Sequence, residues 1–469
     1  MLVIFSDLHF EEEQSNYIPG DGNHPPIEFS RNLPGRVYRS FIAHIANEAR
    51  RNGVKRLDLA FAGDIFDIHR TGLWFTQNPT GIRPYVSNSA VSGELETMLI
   101  KVLNAIQQAK GVKDTLESFR LLAAGKYIDG DERDFPVPVH LHYIPGNHDR
   151  LANATPRVRE NIRQALGMPL SGDPFPNILE LPQYRTVIRH GHEYDRYNFS
   201  ADYSKEDPIP LQMPVEEYDE APFGDFVTVD IASRSPHLFR AEHGGANIIA
   251  DPILRAVYLR LLEFDDLRPQ SALFNYLIHM PEPYVDPVIV WKVIEPVLYK
   301  LLEDIHKDPF LKKWLDKMDT RWKLDVVDVI QTTMALRPWR LTGIPLGLAQ
   351  FISNSAIGHV KEQPGAHVHA AREEAIRSGQ YHFLVAGHTH HPAVELIAGD
   401  EKGERYYIDT GTWRNRVPAT PDYKAFGHLK ALTYIIIYGP DEDIGSFSES
   451  TKFASIDFWS GVTQRWGIT

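Results

Sequence analysis

The sequence predicts an α/β fold: a sandwich of two β-sheets flanked by helices and interrupted by one large, mostly helical insertion. Three observations lead there. Short apolar runs alternate with stretches of helical periodicity over the first 190 or so residues. These runs end in polar turns that carry Asp, Asn and His, most of them with glycine. From Tyr406 onward the chain reads as strands with little helix between them.

Leu2 to Phe5 is an apolar run of the buried-strand type. Residues 37–52 place Val37, Phe41, Ile45 and Ala49 on one helical face. Leu57 to Ala62 is a second buried strand and runs straight into Gly63-Asp64. Residues 91–123 read as one or two helices. Val139 to Ile144 feeds Pro145-Gly146-Asn147-His148, Arg185 to Arg189 feeds His190-Gly191, and Phe383 to Ala386 feeds Gly387-His388. Sites in α/β sheets gather at the carboxyl ends of strands, so this shared position points to one site.

His190 and His388 are 198 residues apart. The gap opens with a Pro- and acid-rich stretch, Asp207 to Asp225, expected to be loop or extended. Asp251-Pro252 and Asp286-Pro287 each read as an N-cap followed by proline in the first helical turn, with Pro296 expected to kink or end the second helix. A helix over 366–378 returns the chain to the sheet, and Tyr406–Ile408, Ala431–Tyr438 and Phe453–Phe458 complete it as strands. The expected division is a catalytic unit of 1–199 and 363–469 around a helical insertion at 200–362. Trp291, Trp314, Trp322, Trp339 and the apolar run Leu341–Ile352 read first as helical core. The alternative is a lid over the site that reads the substrate or binds a protein partner; removal of 200–362 would then spare turnover of a small generic substrate and abolish selectivity.

Hydrophobic residues make up 43% of the chain and charged ones 24%, as in soluble globular proteins. With 49 Lys and Arg against 62 Asp and Glu, the net charge of −13 argues against sequence-blind nucleic-acid binding. Cysteine is absent, which rules out disulfides and thiolate metal sites and suits a reducing cytoplasm. No stretch resembles a signal peptide or reaches the about 18 apolar residues of a membrane span, so a cytoplasmic protein is expected.

The chemistry lies in five short segments: Asp7-Leu8-His9, Gly63-Asp64-Ile65-Phe66-Asp67, Gly146-Asn147-His148-Asp149, His190-Gly191-His192 and Gly387-His388-Thr389-His390. Together they offer carboxylate, imidazole and amide-oxygen donors for two divalent cations. Asp64 is the natural bridge. Asp7, His9 and His390 would complete one ion, and Asn147, His190 and His388 the other. The donor set accepts Mn, Fe, Zn, Ni or Co, with Mn the leading choice.

In this order the five segments resemble the signature of the calcineurin-like metallophosphoesterases, over about 1–195 and 365–440. The resemblance implies a four-layer αββα sandwich and the ligand roles just given. It implies hydrolysis of a phosphoester, a phosphodiester or diphosphate first of all, by in-line attack of a hydroxide bridging two ions. His148 would protonate the leaving oxygen or stabilise the transition state, with Asp149 orienting it, and Asp67 would steer a ligand from behind. Asp409-Thr410-Gly411-Thr412-Trp413 resembles a later family segment, with Asp409 where that segment usually carries Asn. The family's sugar-lipid pyrophosphatases often carry Arg at the position of His148, which argues against that subclass. A metal-dependent nuclease, a protein phosphatase and a non-catalytic scaffold of the same fold are the alternative functions.

Other residues have plainer readings. His192 is expected to cap its loop rather than touch substrate, His367 and His369 to sit at a solvated helix start, and His391 to point away from the site. Arg150 reads equally as a phosphate ligand or a surface ion pair; Arg414 and Arg416 are weaker candidates.

Overall fold

The computed structural model describes residues 1–78, 80–268, 272–279, 285–305, 307–318, 365–442 and 455–463. Trp322, Trp339 and the run 341–352 lie outside them.

The chain forms an α/β fold with two mixed sheets. The first is built on β1 (Leu2–Phe5), β2 (Leu57–Ala62) and β5 (Val139–Ile144), which run parallel in the order β5-β2-β1. All four side chains of β1 and all six of β2 are buried, the continuous apolar pattern of strands covered on both faces. β13 (Leu429–Ile437) adds antiparallel to β1. β14 (Ile456–Thr463) pairs along β13 from 430 to 437, so β1 and β12 (Asn415–Pro418) share the opposite edge of β13 end to end. β8 (Leu267–Arg268) extends the sheet beside β12.

The second sheet runs in the order β10-β11-β9-β7-β6, from β6 (Ile178–Leu181), β7 (Thr186–Arg189), β9 (Phe383–Ala386), β10 (Ala393–Asp400) and β11 (Gly403–Asp409). β7, β9 and β11 are parallel. A separate hairpin, β3 (Lys126–Asp129) with β4 (Asp131–Asp134), lies outside both sheets.

Three apolar clusters organise these elements. Leu2, Ile4, Ala62 and Ile435 of the first sheet share a core with Ile188, Val385 and Ile408 of the second. The opposite face of the first sheet, through Val3, Phe5, Leu59 and Phe61, packs with Tyr38, Phe41 and Ile45 of the helix Gly35–Arg51 and with Leu116 and Phe119 of Lys110–Ala123. On the second sheet, Val187, Leu384 and Tyr407 pack with Ala370, Ala375 and Ile376.

The stretch 91–123 is two helices, Gly93–Gln108 and Lys110–Ala123. Ser92 caps the first through Leu95 N. Asp251 caps Pro252–Leu262 as expected, its Oδ1 accepting from Ile253 and Leu254 N. The helix from Pro287 runs past Pro296 to Ile305, so that proline does not end it. Its apolar stripe of Val290, Ile294, Val297 and Leu301 is buried, and that packing holds the helix where one backbone bond is missing. The expected helix over 366–378 is two short ones, Ala366–Ala370 and Glu374–Arg377. No described helix is long and apolar enough to cross a membrane.

Described residues of 200–318 join the same core as the first sheet, among them Phe226, Phe239, Ile249 and Leu261. Buried ion pairs reinforce the join. Asp265 meets Arg70 Nε at 2.9 Å, Asp266 meets Arg414 Nε at 2.8 Å, and Asp225 meets Arg150 Nη2 at 2.7 Å. Removal of 200–362 would strip these buried guanidiniums of their carboxylates, which costs about 3–5 kcal/mol per broken pair. For the described residues of 200–318, the packing therefore favours a core role over a detachable lid.

A polar staple links the two sheets away from the strand ends that carry the site. Asp58 on β2 accepts from Tyr184 OH at 2.8 Å, from the turn before β7, and from Arg56 Nε at 2.9 Å, and faces His142 Nε2 at 2.9 Å. Burial would raise its pKa, but the hydrogen bonds from His142, Tyr184 and Arg56 outweigh this and hold it at about 2. Because the folded value lies below the ordinary 3.8, this stabilisation is complete above pH 3.8 and is lost as pH falls through 2. Asp58→Asn is expected to lower stability by about 2 kcal/mol at neutral pH, with the gap to wild type closing as pH falls from about 4 to 2. Urea titrations across that range check this; a gap independent of pH would overturn it.

Candidate metal site

All five polar segments follow the carboxyl ends of β1, β2, β5, β7 and β9, and backbone bonds zip them together. Asp7 N donates to Gly63 O at 3.0 Å and His9 N to Asp64 O at 2.9 Å, joining the first two loops. Gly387 N donates to His190 O at 2.7 Å, joining the last two. His388 N to Asp7 Oδ2 (3.1 Å) and His148 N to Asp64 Oδ1 (2.7 Å) tie in the remaining loops. The approach is close enough to demand glycine. A Cβ on Gly387 would collide with Ser6 Oγ and Asp7 Oδ2, and one on Gly146 with Asp64 Oδ1.

The backbone is strained where the side chains converge. Asp7, His9, Asp64, His388 and His390 all have positive φ, from +45° to +71°. They are five of the seven non-glycine residues in that region among the described residues. Such strain persists only where the surroundings enforce it, and it concentrates at functional sites.

Three groups of side chains could hold a metal ion: Asp7, His9 and His390; His9, Asp64 and His148; Asp64, His190 and His388. In the first, His9 Nε2 lies 2.9 Å from His390 Nε2 and 3.6 Å from Asp7 Oδ1, and His390 Nε2 lies 3.2 Å from Asp7 Oδ1. In the last, His190 Nε2 lies 3.1 Å from Asp64 Oδ2 and 3.2 Å from Asn147 Oδ1, and His388 Nδ1 lies 2.9 Å from Asn147 Oδ1. Donors about 2.0–2.2 Å from one shared cation stand about 2.8–3.6 Å from each other, so these spacings fit a bound ion. Asp7 Oδ1 is buried without a hydrogen-bond partner, as a ligand oxygen would be. The seven candidate ligands, Asp7, His9, Asp64, Asn147, His190, His388 and His390, are thus brought together.

The outer nitrogens of three rings face acceptors. His190 Nδ1 lies 2.9 Å from Ala62 O, His9 Nδ1 3.3 Å from Asp67 Oδ2, and His388 Nε2 3.1 Å from Asp195 Oδ2. An acceptor behind an imidazole keeps the proton there and turns the other lone pair toward the metal. His390 differs: its Nδ1 faces the Arg268 guanidinium at 2.7 Å.

Electrostatics follow the geometry. Burial would raise Asp7, but the His390 and His9 imidazoles beside it hold it well below the usual carboxylate range. Asp64 is likewise lowered against its burial, by His190 first and then His148. Burial would lower His190, yet Asp64 raises it to about 10. His148 rises to about 9, because Asp67 and Asp64 outweigh its burial.

The expected role of Asp149 is corrected. Its oxygens take Gly146 N, Asp64 N, Ile65 N, Phe66 N and Tyr143 OH, so it clamps two loops and does not orient His148. Four backbone donors converge where Asp149 sits, and they claim the carboxylate. Asp67 is the residue that holds His148, with Oδ1 2.9 Å from Nδ1. Arg150 is buried and fully engaged with Asp225, Asn88, Asp219 O and Val86 O, so it is no phosphate ligand and no surface pair. His192 is buried behind His190 against Phe199 and Tyr218, where burial lowers its pKa to about 4. His369 is not solvated: it is buried and stacks on Tyr194 at 5.5 Å, while His367 is exposed. His391 is exposed, as expected. Asp409 accepts from Thr389 Oγ1, Tyr407 OH and Gly411 N and so shapes the last loop.

A cavity of about 570 Å³ opens over the cluster, lined by His9, Asp64, Asn147, His148, His388 and His390. Arg268, Arg414, Asp195 and Phe264 also line it. Asp195 and Arg268 carry no spacing signal; both are visible only once the chain is folded. Comparison with family models, curated proteins and solved structures finds no match to this chain.

Gly387→Ala is expected to reduce divalent-metal affinity by about 10–100-fold, the scale of displaced ligand support, with the secondary structure unchanged. Metal analysis beside circular dichroism checks it; full metal retention would contradict the close-approach argument.

Proposed function

We propose that the protein is a metal-dependent phosphoesterase with a dinuclear centre, acting on a phosphodiester, diphosphate or related phosphoester. One observation carries the reading. Asp64 Oδ2 stands between the two outer donor groups, 3.8 Å from His9 Nε2 and 3.1 Å from His190 Nε2, the place of a carboxylate that bridges two cations. The core shared by the two sheets, with helices on their outer faces, supports the four-layer αββα arrangement that the resemblance implies.

Asp7, His9 and His390 would hold one ion, and Asn147, His190 and His388 the other, with Asp64 between them. Bound divalent cations would supply charge to offset that on a phosphoryl group and make a water acidic near neutral pH. The protein's own part is positioning and proton transfer. His148 lines the cavity beside Asp64 and carries a proton that Asp67 stabilises at Nδ1, leaving Nε2 to serve a leaving oxygen. Asp149 keeps the loops of Asp64 and His148 in register. Asp195 and Ala62 O fix the ring planes of His388 and His190.

His148→Ala is expected to lower kcat on an aryl phosphate by about 10²–10⁴-fold with metal content unchanged. Asp64→Asn should remove both metal and turnover. Steady-state kinetics on mono- and bis-aryl phosphates with Mn, Fe, Zn, Ni and Co, beside metal analysis, test this. A metal-loaded wild type inert toward every phosphoester tried would overturn the reading.

A further inference from the structure

Two arginines line the cavity: Arg268 has no carboxylate partner among the described residues, and Arg414 has only part of its fork paired. Arg414 is 1% exposed; its Nε lies 2.8 Å from Asp266, yet Nη1 and Nη2 have no hydrogen-bond partner among the described residues. Nη1 is 3.6 Å from Asp67 Oδ2, the carboxylate that holds His148. Arg268 reaches the cluster at His390. Its Nη2 lies 2.7 Å from His390 Nδ1, Nη1 donates to Asp265 O and Leu267 O, and no described carboxylate lies within ion-pair distance. By contrast, Arg31 pairs with Glu11 through Nε and Nη2, and Arg150 with Asp225 through Nε and Nη2.

The placement of both is enforced by the sheet. Arg268 ends β8, which runs parallel to β12 with Val417 opposite Leu267 and Pro418 opposite Arg268. Arg414 precedes β12 by one residue, directly after Trp413, whose ring is buried against Phe5, Phe41 and Tyr38. Neither side chain hangs from a free loop. Each guanidinium is a planar fork suited to the paired oxygens of a phosphoryl group.

We propose that Arg268 and Arg414 form an anion site that binds the non-bridging oxygens of the phosphoryl group beside the metal ligands, so that the stretch between His190 and His388 supplies a substrate-binding residue. This rests on the phosphoesterase reading above. The pair selects a phosphoryl group with exposed anionic oxygens and disfavours a neutral ester. Arg268 comes from outside the five segments, so it also sets specificity independently of the ligand set.

The test is calorimetric titration of inorganic phosphate into the full-length, metal-loaded protein, with metal content measured on each sample. Arg268→Gln and Arg414→Gln are each expected to weaken phosphate binding by about 10-fold or more while both retain metal, the scale of a lost hydrogen bond between charged groups. Arg414→Gln also leaves Asp266 without its cation, so Arg414→Lys, which keeps the charge and loses the fork, serves if that variant does not fold; it should fall between wild type and Gln. Wild-type phosphate affinity in Arg268→Gln that still holds metal and still cleaves an aryl phosphate would overturn this assignment alone. Wild-type protein that retains no metal would overturn the assignment together with the reading on which it rests.

Discussion

Asp64 carries a negative charge at the floor of the cavity, and much of the surrounding structure serves to keep that charge acceptable. Burial in a low-dielectric interior disfavours an ion, yet Asp64 is held ionised by His190, His148 and His9 around it. Its backbone N–H is taken by Asp149, its Oδ1 by His148 N, and its Oδ2 faces imidazoles from both sheets. The two sheets meet across an apolar core, but it is this carboxylate that requires their loops to meet as well.

Legibility in the sequence followed physical distinctness. β1, β2 and β9 were readable to the residue because strands covered on both faces are near-continuous apolar runs. The candidate ligand cluster was legible because Asp, Asn and His placed after such runs are costly to bury without partners. What escaped was whatever depends on partners far apart in the chain. Asp149 adjoins His148, and adjacency suggested a contact; the backbone donors of the Asp64 loop decided otherwise. His369 looked solvated because its neighbours are polar, but the ring of Tyr194 covers it. The exposed hairpin of β3 and β4, with sequences KYID and DERD, has no apolar alternation from which to infer strands.

The long stretch after His190 is joined to the site through charge as much as through packing. Asp225, Asp265 and Asp266 each pair with an arginine that follows one of the candidate ligand segments or precedes β12. Such buried pairs contribute little net stability when intact, but they specify register, because any other seating leaves an ion alone. That is how a short strand of two residues, β8, can place Arg268 beside His390.

The left-handed backbone at Asp7, His9, Asp64, His388 and His390 has a consequence for how this chain can drift. Each such position stores about 1–3 kcal/mol that the fold would be better off without. Glycine at any of them would relax the chain, so a copy with no need of these side chains would gain robustness by discarding them first.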